Sequence, residues 1–286
     1  MQKRWPWANP DGTFKREYNW AGASRCDAGC PYCFSCAGIE YEVAHGARWW
    51  TDEQAVAAWA AVAEQYGEGR IFLAGLEPGH ELPLVAGVAL HHEIIMLTNL
   101  SCGGAEIVRM LDPARVTLHP SFHAHLWGLQ VEPFLAEVAL LREAGFVVPL
   151  VAIVAWPPYL QHLAGWVEAL KGVGLGANVV PARMTTFEGR ALPEGYTAEE
   201  RALIAPHTSG FVAGGVEQPP LQVKACGAGV ATVTIRLNGD IVRCGQIAGM
   251  GDQNLMRDRT IRFLPEPAPC GEATCRCGHL HRFHIH

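Results

Sequence analysis

The chain has 286 residues, of which 49% are hydrophobic and 17% charged, with a formal net charge of −6. That length and apolar content suit one large α/β domain with a small appendage rather than a disordered chain. The acidic balance, with no run of basic residues, excludes a broad nucleic-acid surface, and no apolar stretch reaches the ~18–20 residues of a membrane span.

The N-terminal segment, Met-Gln-Lys-Arg-Trp-Pro-Trp, leads into polar residues and carries no apolar signal core, so a soluble, cytoplasmic protein is expected. A short strand is predicted just before Cys26. From residue 50 to 185 apolar runs alternate with helical patterns. Predicted strands cover Arg70–Gly75, Glu93–Thr98, Arg115–Leu118, Val147–Val154 and Ala177–Val180. Between them the 3.6-residue period predicts helices over Thr51–Tyr66, Leu82–His91, Ala105–Leu111, Glu132–Ala144 and Leu160–Gly172. Thr51 suits an N-cap, and Gly145 stands where a C′ glycine belongs. Continuous apolar strands alternating with helices imply a parallel sheet covered by helices. Six strand–helix units fit a partial (β/α)6 barrel of the TIM type better than a closed eightfold one.

Residues 186–220 are broken by Pro and Gly, hold one helical stretch near Thr197–Ile204, and are read as a linker between a barrel (1–185) and a small C-terminal domain (221–286). Within that domain Val230–Arg243 alternates around Asn238-Gly239, a strong hairpin signal. The histidine-rich end is read as an exposed tail.

The ten cysteines fall in two groups, with Cys102 isolated and expected to be a small buried residue. Clustering of this kind, in a chain without a signal peptide, points to metal binding rather than disulfides. Cys26, Cys30 and Cys33 form a C-x3-C-x2-C run, with Tyr32 before its last member. Structural zinc and ordinary [4Fe–4S] clusters take four protein ligands, so three leave one position open. Cys36 makes a possible fourth, and a zinc knuckle is the competing reading.

The run resembles the cluster motif of the radical S-adenosylmethionine (radical SAM) superfamily. That resemblance implies that Cys26, Cys30 and Cys33 hold a [4Fe–4S] cluster whose open iron binds S-adenosylmethionine, with Cys36 a non-ligand. The segment Ala74-Gly75-Leu76-Glu77-Pro78 is similar to the family's Gly-Gly-Glu-Pro, whose backbone and acidic residue receive the methionine ammonium; Leu76 replaces the second glycine. Thr98-Asn99 resembles the family's Thr-Asn-Gly, with Leu100 for glycine. Tyr32, Gly75, Leu76, Glu77, Thr98, Asn99, His119, Ser121 and Arg183 are the candidate cofactor contacts. His119 and Ser121 could instead cap a turn. Arg183 could face the cofactor carboxylate, a substrate anion or solvent.

Downstream, Cys226, Gly239 and Cys244 give C-x12-G-x4-C, similar to the signature of the family's SPASM and shorter twitch extensions. This implies one auxiliary [4Fe–4S] cluster on Cys226, Cys244 and two of Cys270, Cys275 and Cys277. A zinc site using Cys226, Cys244, Cys270 and Cys275, with His279 or His281, is the alternative. The resemblance implies an oxidoreductase or related radical-based enzyme served by an electron donor such as flavodoxin or ferredoxin. Its substrate is either a ribosomally made peptide or a small molecule such as a sugar, cyclitol or nucleotide. The 25 residues before Cys26 are expected to be too few for a peptide-recognition or cobalamin-binding domain.

Overall fold

A computed structural model describes residues 14–33, 48–208, 225–245, 250–269 and 284–285. Cys36, Cys270, Cys275, Cys277, His279 and His281 lie outside the described residues.

The strands are β1 (Glu17–Ala23), β2 (Arg70–Gly75), β3 (Glu93–Thr98), β4 (Val116–Phe122), β5 (Leu150–Ala155) and β6 (Gly176–Pro181). The helices between them are α1 (Asp52–Tyr66), α2 (Leu82–Ala89), α3 (Gly104–Met110), α4 (Glu132–Glu143) and α5 (Leu163–Gly172). Thr51 caps α1 in a reciprocal box with Gln54. Gly145, after α4, has φ +94°, as a C′ glycine should. Sequence and structure part at β4, which runs four residues further than expected because Leu118, Pro120 and Phe122 keep the buried alternation going.

The segment after β6 is structured: β7 (Thr185–Phe187) and β8 (Arg190–Leu192) form a hairpin, and Thr197 caps α6 (Ala198–Ile204). The C-terminal part holds β9 (Ala225–Cys226), β10 (Thr232–Ile235), β11 (Ile241–Val242), α7 (Leu255–Asp258) and β12 (His284–Ile285). Of the histidine-rich end, the two described residues, His284 and Ile285, pair antiparallel with β9, His284 opposite Cys226.

The main sheet has the order β11-β10-β1-β2-β3-β4-β5-β6, parallel from β10 to β6, with β11 antiparallel at the edge. This is a mixed α/β fold built on a mostly parallel sheet, a partial TIM-like barrel. The Asn238-Gly239 hairpin is therefore an edge of the barrel sheet. Trp49 and Trp50 donate their indole N–H groups to the carbonyls of Asn238 (3.0 Å) and Leu237 (2.8 Å), pinning the turn to the start of α1.

Alternate strand residues divide the two faces. Tyr18, Trp20, Ile71, Leu73, Ile94, Met96, Val116 and Leu118 are buried among the helices, with the Trp59 ring 5.1 Å from Tyr18 and 5.3 Å from Trp20. The opposite, largely half-exposed face is graded. At its N-terminal end Glu17, Arg70 and Glu93 stand abreast, Arg70 pairing with Glu93 at 3.2 Å and Glu17 at 3.9 Å. Next come Asn19, Phe72, Ile95 and Thr117, then Ala21 beside Ala74 and Leu97 beside His119.

His92, fully buried, joins α1 to this sheet: its Nδ1 accepts from Gly69 N–H and its Nε2 donates to the Trp59 carbonyl, both at 3.0 Å. Burial holds it below the usual histidine range. The unfolded chain protonates a histidine near pH ~6.5 while folded His92 stays neutral. Stability is thus full above that pH and declines as pH falls through it, by up to ~1.4 kcal/mol per pH unit. His119 and His123 act with the same sign. Urea midpoints should fall between about pH 7.5 and about pH 5.5, and His92→Gln should make that pH dependence shallower. An unchanged slope in the variant would remove His92 from the account.

Candidate functional site

Parallel strands place their C-terminal ends at one mouth, and the first loop there carries the cysteine run. The end of β2 is sewn to that loop: Leu76 N–H donates to the Ala23 carbonyl (3.0 Å) and Glu77 N–H to the Arg25 carbonyl (2.8 Å). The approach is close enough that a Cβ on Gly75, whose φ is +112°, would lie 2.4 Å from the Ala23 oxygen. Only glycine fits.

Glu77 is 1% exposed. Its Oε1 accepts from the Thr98 hydroxyl (2.6 Å) and Gly79 N–H (2.8 Å), and its Oε2 from Asn99 N–H (2.6 Å). Burial raises its pKa and these three donors pull it back. The side chain thus ties the end of β2 to the end of β3. Leu100 takes the left-handed conformation (φ +61°), with its N–H on the Thr98 hydroxyl at 3.0 Å.

Asn99 faces the cysteine loop. Its side-chain N–H lies 3.7 Å from Cys26 Sγ, which also accepts from Ala28 N–H at 3.4 Å. Cys33 N–H donates to the Cys30 carbonyl (3.1 Å), closing the turn through Tyr32. Asp27 takes the Ser101 hydroxyl (3.1 Å) and faces His80 Nε2 (3.0 Å). Cys26 is exposed and Cys30 and Cys33 are half-buried, all three as thiols outside any disulfide. Among the described residues no three His, Cys, Asp or Glu side chains gather round a single-ion point; a four-iron cubane holds its thiolates on separate irons, further apart than one ion's ligands. The donor set fits such a cluster: three thiols on one loop, one already receiving N–H groups as a bound thiolate would. Without a metal, burial raises the pKa of the Cys26 thiol and pushes that of Cys102 up to about 12.

Tyr32 is buried, and its hydroxyl lies among histidines: 3.1 Å from His123 Nδ1 and 3.4 Å from His125 Nδ1. His123 stacks on the Tyr32 ring and comes within 3.6 Å of Cys30 Sγ. Burial and the neighbouring His125 depress its pKa to about 4. His119 and Ser121 stand on the half-exposed face inside β4 instead of capping a turn after it. Burial lowers the pKa of His119. Arg183 follows β6, half-buried, and makes no ion pair among the described residues.

Two elements carried no signal in the sequence. Buried Glu81 accepts at Oε1 from Ser24 N–H (3.2 Å), the Ser24 hydroxyl (2.9 Å) and Arg48 (2.8 Å), holding the cysteine loop from below. The other is Arg243, 5% exposed. Its guanidinium donates to the carbonyls of Ala228 (2.9 Å), Cys226 (3.1 Å), Pro269 (2.7 Å) and Ala268. It thereby gathers buried Cys226, its own neighbour Cys244, and the chain immediately before Cys270.

No family model and no curated protein matches the chain. Solved structures do. A histidine-tagged anSMEcpe with bound AdoMet aligns with a TM-score of 0.56 at 11% identity, over 85% of this chain and 78% of that one. Native anSMEcpe with bound AdoMet and Kp18Cys peptide gives 0.53 at 12% identity, over 84% and 77%. The complex with Cp18Cys peptide gives 0.50 at 12%, over 84% and 77%. At such identities the likeness is one of fold.

Glu77→Gln exchanges one acceptor oxygen for an NH2 group facing donors. The lost charge-assisted bonds should cost on the order of 1.5–3 kcal/mol, lowering the thermal midpoint by several degrees. A midpoint within about a degree of wild type would show that Glu77 does not hold the strand ends together.

Proposed function

We propose that this chain is a radical SAM enzyme that reductively cleaves S-adenosylmethionine and abstracts a hydrogen atom from a peptide substrate. The observation that carries the reading is the cysteine loop at the mouth of a parallel sheet, bonded to the ends of β2 and β3 through Gly75, Glu77 and Asn99. The fold shared with AdoMet-bound proteins supports it. When bound, the three-cysteine cluster and S-adenosylmethionine supply a 5′-deoxyadenosyl radical.

Cys26, Cys30 and Cys33 hold the cluster, and the N–H groups of Ala28 and Asn99 stabilise the charge on Cys26. Since the Glu77 carboxylate is engaged by protein donors, the methionine ammonium falls to the backbone around Gly75 and Leu76. Cys226 and Cys244 hold the auxiliary cluster with two of Cys270, Cys275 and Cys277, on a frame set by Arg243. A ferredoxin- or flavodoxin-type donor supplies the electron.

The half-exposed wall favours a peptide over a phosphorylated small molecule. Phosphates need Arg or Lys donors, whereas Asn19, Phe72, Ile95, Leu97, Thr117 and His119 offer an uncharged surface. Arg70, below them, is already paired, and Arg183, which makes no ion pair among the described residues, stands off that wall, after β6. A neutral side chain carried on a peptide matches that wall, and two of the proteins sharing the fold hold peptides.

Anaerobic reconstitution should yield about eight irons per chain for two [4Fe–4S] clusters. Dithionite and S-adenosylmethionine should then release 5′-deoxyadenosine, and Cys30→Ala should abolish release. Cys226→Ala with Cys244→Ala should leave about four irons. Zinc in place of iron, or no 5′-deoxyadenosine from the fully loaded protein, would overturn the reading.

A further inference from the structure

Tyr32, His123 and His125 form a hydrogen-bonded chain whose two ends both return to the cysteine loop. Its direction follows from donor chemistry. His125 Nε2 lies 2.8 Å from the Ala28 carbonyl. A carbonyl only accepts, so Nε2 carries the proton. With the ring proton on Nε2, Nδ1 is the acceptor, and the Tyr32 hydroxyl lies 3.4 Å from it. The Tyr32 hydroxyl also lies 3.1 Å from His123 Nδ1, so this end of the chain alone does not say which ring takes its proton.

The cysteine end supplies the direction: with Cys30 a cluster-ligating thiolate, its sulfur only accepts, and His123 Nδ1 lies 3.6 Å from it. His123 Nδ1 then carries its ring proton, that N–H is shared with the Tyr32 oxygen at 3.1 Å, and the Tyr32 proton is left for His125. The direction is thus fixed from Cys30 to Ala28: His123 N–H is shared between Cys30 sulfur and Tyr32 oxygen, Tyr32 O–H goes to His125, and His125 N–H goes to the Ala28 carbonyl. Ring packing holds the members in place, with His123 stacked on Tyr32 (centroids 5.7 Å, 21°), His125 edge-on at 5.9 Å and Trp156 on Tyr32 at 5.5 Å.

We propose that His123 is a positioning residue that donates its Nδ1–H to Cys30 Sγ and raises the reduction potential of the three-cysteine cluster, with Tyr32 and His125 setting how much of that hydrogen bond the sulfur receives. The inference rests on the cluster assignment above. An N–H donor withdraws charge from a ligating thiolate and favours the reduced, more negative cluster. The Tyr32 oxygen competes for the same proton. Removing His123 and removing the Tyr32 hydroxyl therefore have opposite effects, which a purely structural role would not produce.

The experiment is an EPR-monitored redox titration of the reconstituted protein, reading the cluster signal that changes on adding S-adenosylmethionine. His123→Leu should shift its potential downward. His123→Asn, whose side-chain N–H falls near the Nδ1 position, should recover most of the shift. Tyr32→Phe should move it upward, since the sulfur then has the N–H to itself. An unchanged potential in His123→Leu, or an Asn variant as low as Leu, overturns the proposal. Should His123→Leu fail to assemble a cluster, Tyr32→Phe decides: a potential equal to or below wild type overturns it. A wild-type protein without any signal responsive to S-adenosylmethionine overturns the cluster assignment and this inference together. A responsive wild type with unshifted variants overturns this inference alone.

Discussion

A carboxylate taken out of water must be matched by donors, and the donors matching Glu77 come from the ends of two neighbouring strands. That requirement fixes where β2 and β3 stop relative to one another. It also sets where Asn99 stands, and so which group faces Cys26. Gly75 adds a steric condition, since β2 can reach the cysteine loop only where no Cβ intervenes. The loop itself contains few apolar groups that could hold it by burial. Its shape comes from polar ties to Glu77, Glu81, Asn99 and the two histidines after β4, and the order of these ties follows the order of the strands.

The sheet separates packing from chemistry by residue parity. Odd and even positions of the same strand serve the aromatic core under α1 and the open wall opposite it. Along that wall polarity changes in steps, from compensated charges through neutral polar and apolar side chains to the thiols. The wall brings substrate, as proposed, to the cysteine loop without offering charge that would hold water beside it.

Much of the barrel was legible because its determinants are local. The Thr51–Gln54 box, the glycine after α4 and the alternation of β2 and β3 act within one or two turns of chain. So does the C-x3-C-x2-C run, whose members lie on one loop in any fold. The remainder depended on encounters between distant segments. Nothing in the sequence near His123 says that its ring meets Tyr32, and Arg243 reads as an ordinary charged strand residue until four carbonyls surround it. The Asn238-Gly239 turn announced a hairpin, but a turn signal says nothing about which edge the hairpin joins. The structure gives that edge as β1, through Trp49 and Trp50 as well as the strand pairing itself.

That last pairing carries a consequence for how the chain is made. Asn19 on β1 bonds to Thr232 on β10 at a sequence separation of 213. During synthesis β1 through β6 can assemble progressively, but the free edge of β1 stays uncovered until the hairpin has left the ribosome. An unpaired, apolar parallel edge is a site for intermolecular association, and pairing over such separation is slow. The β1 edge is therefore the point at which a truncated or stalled chain is most exposed to aggregation, and its closure is the late, committing event of folding.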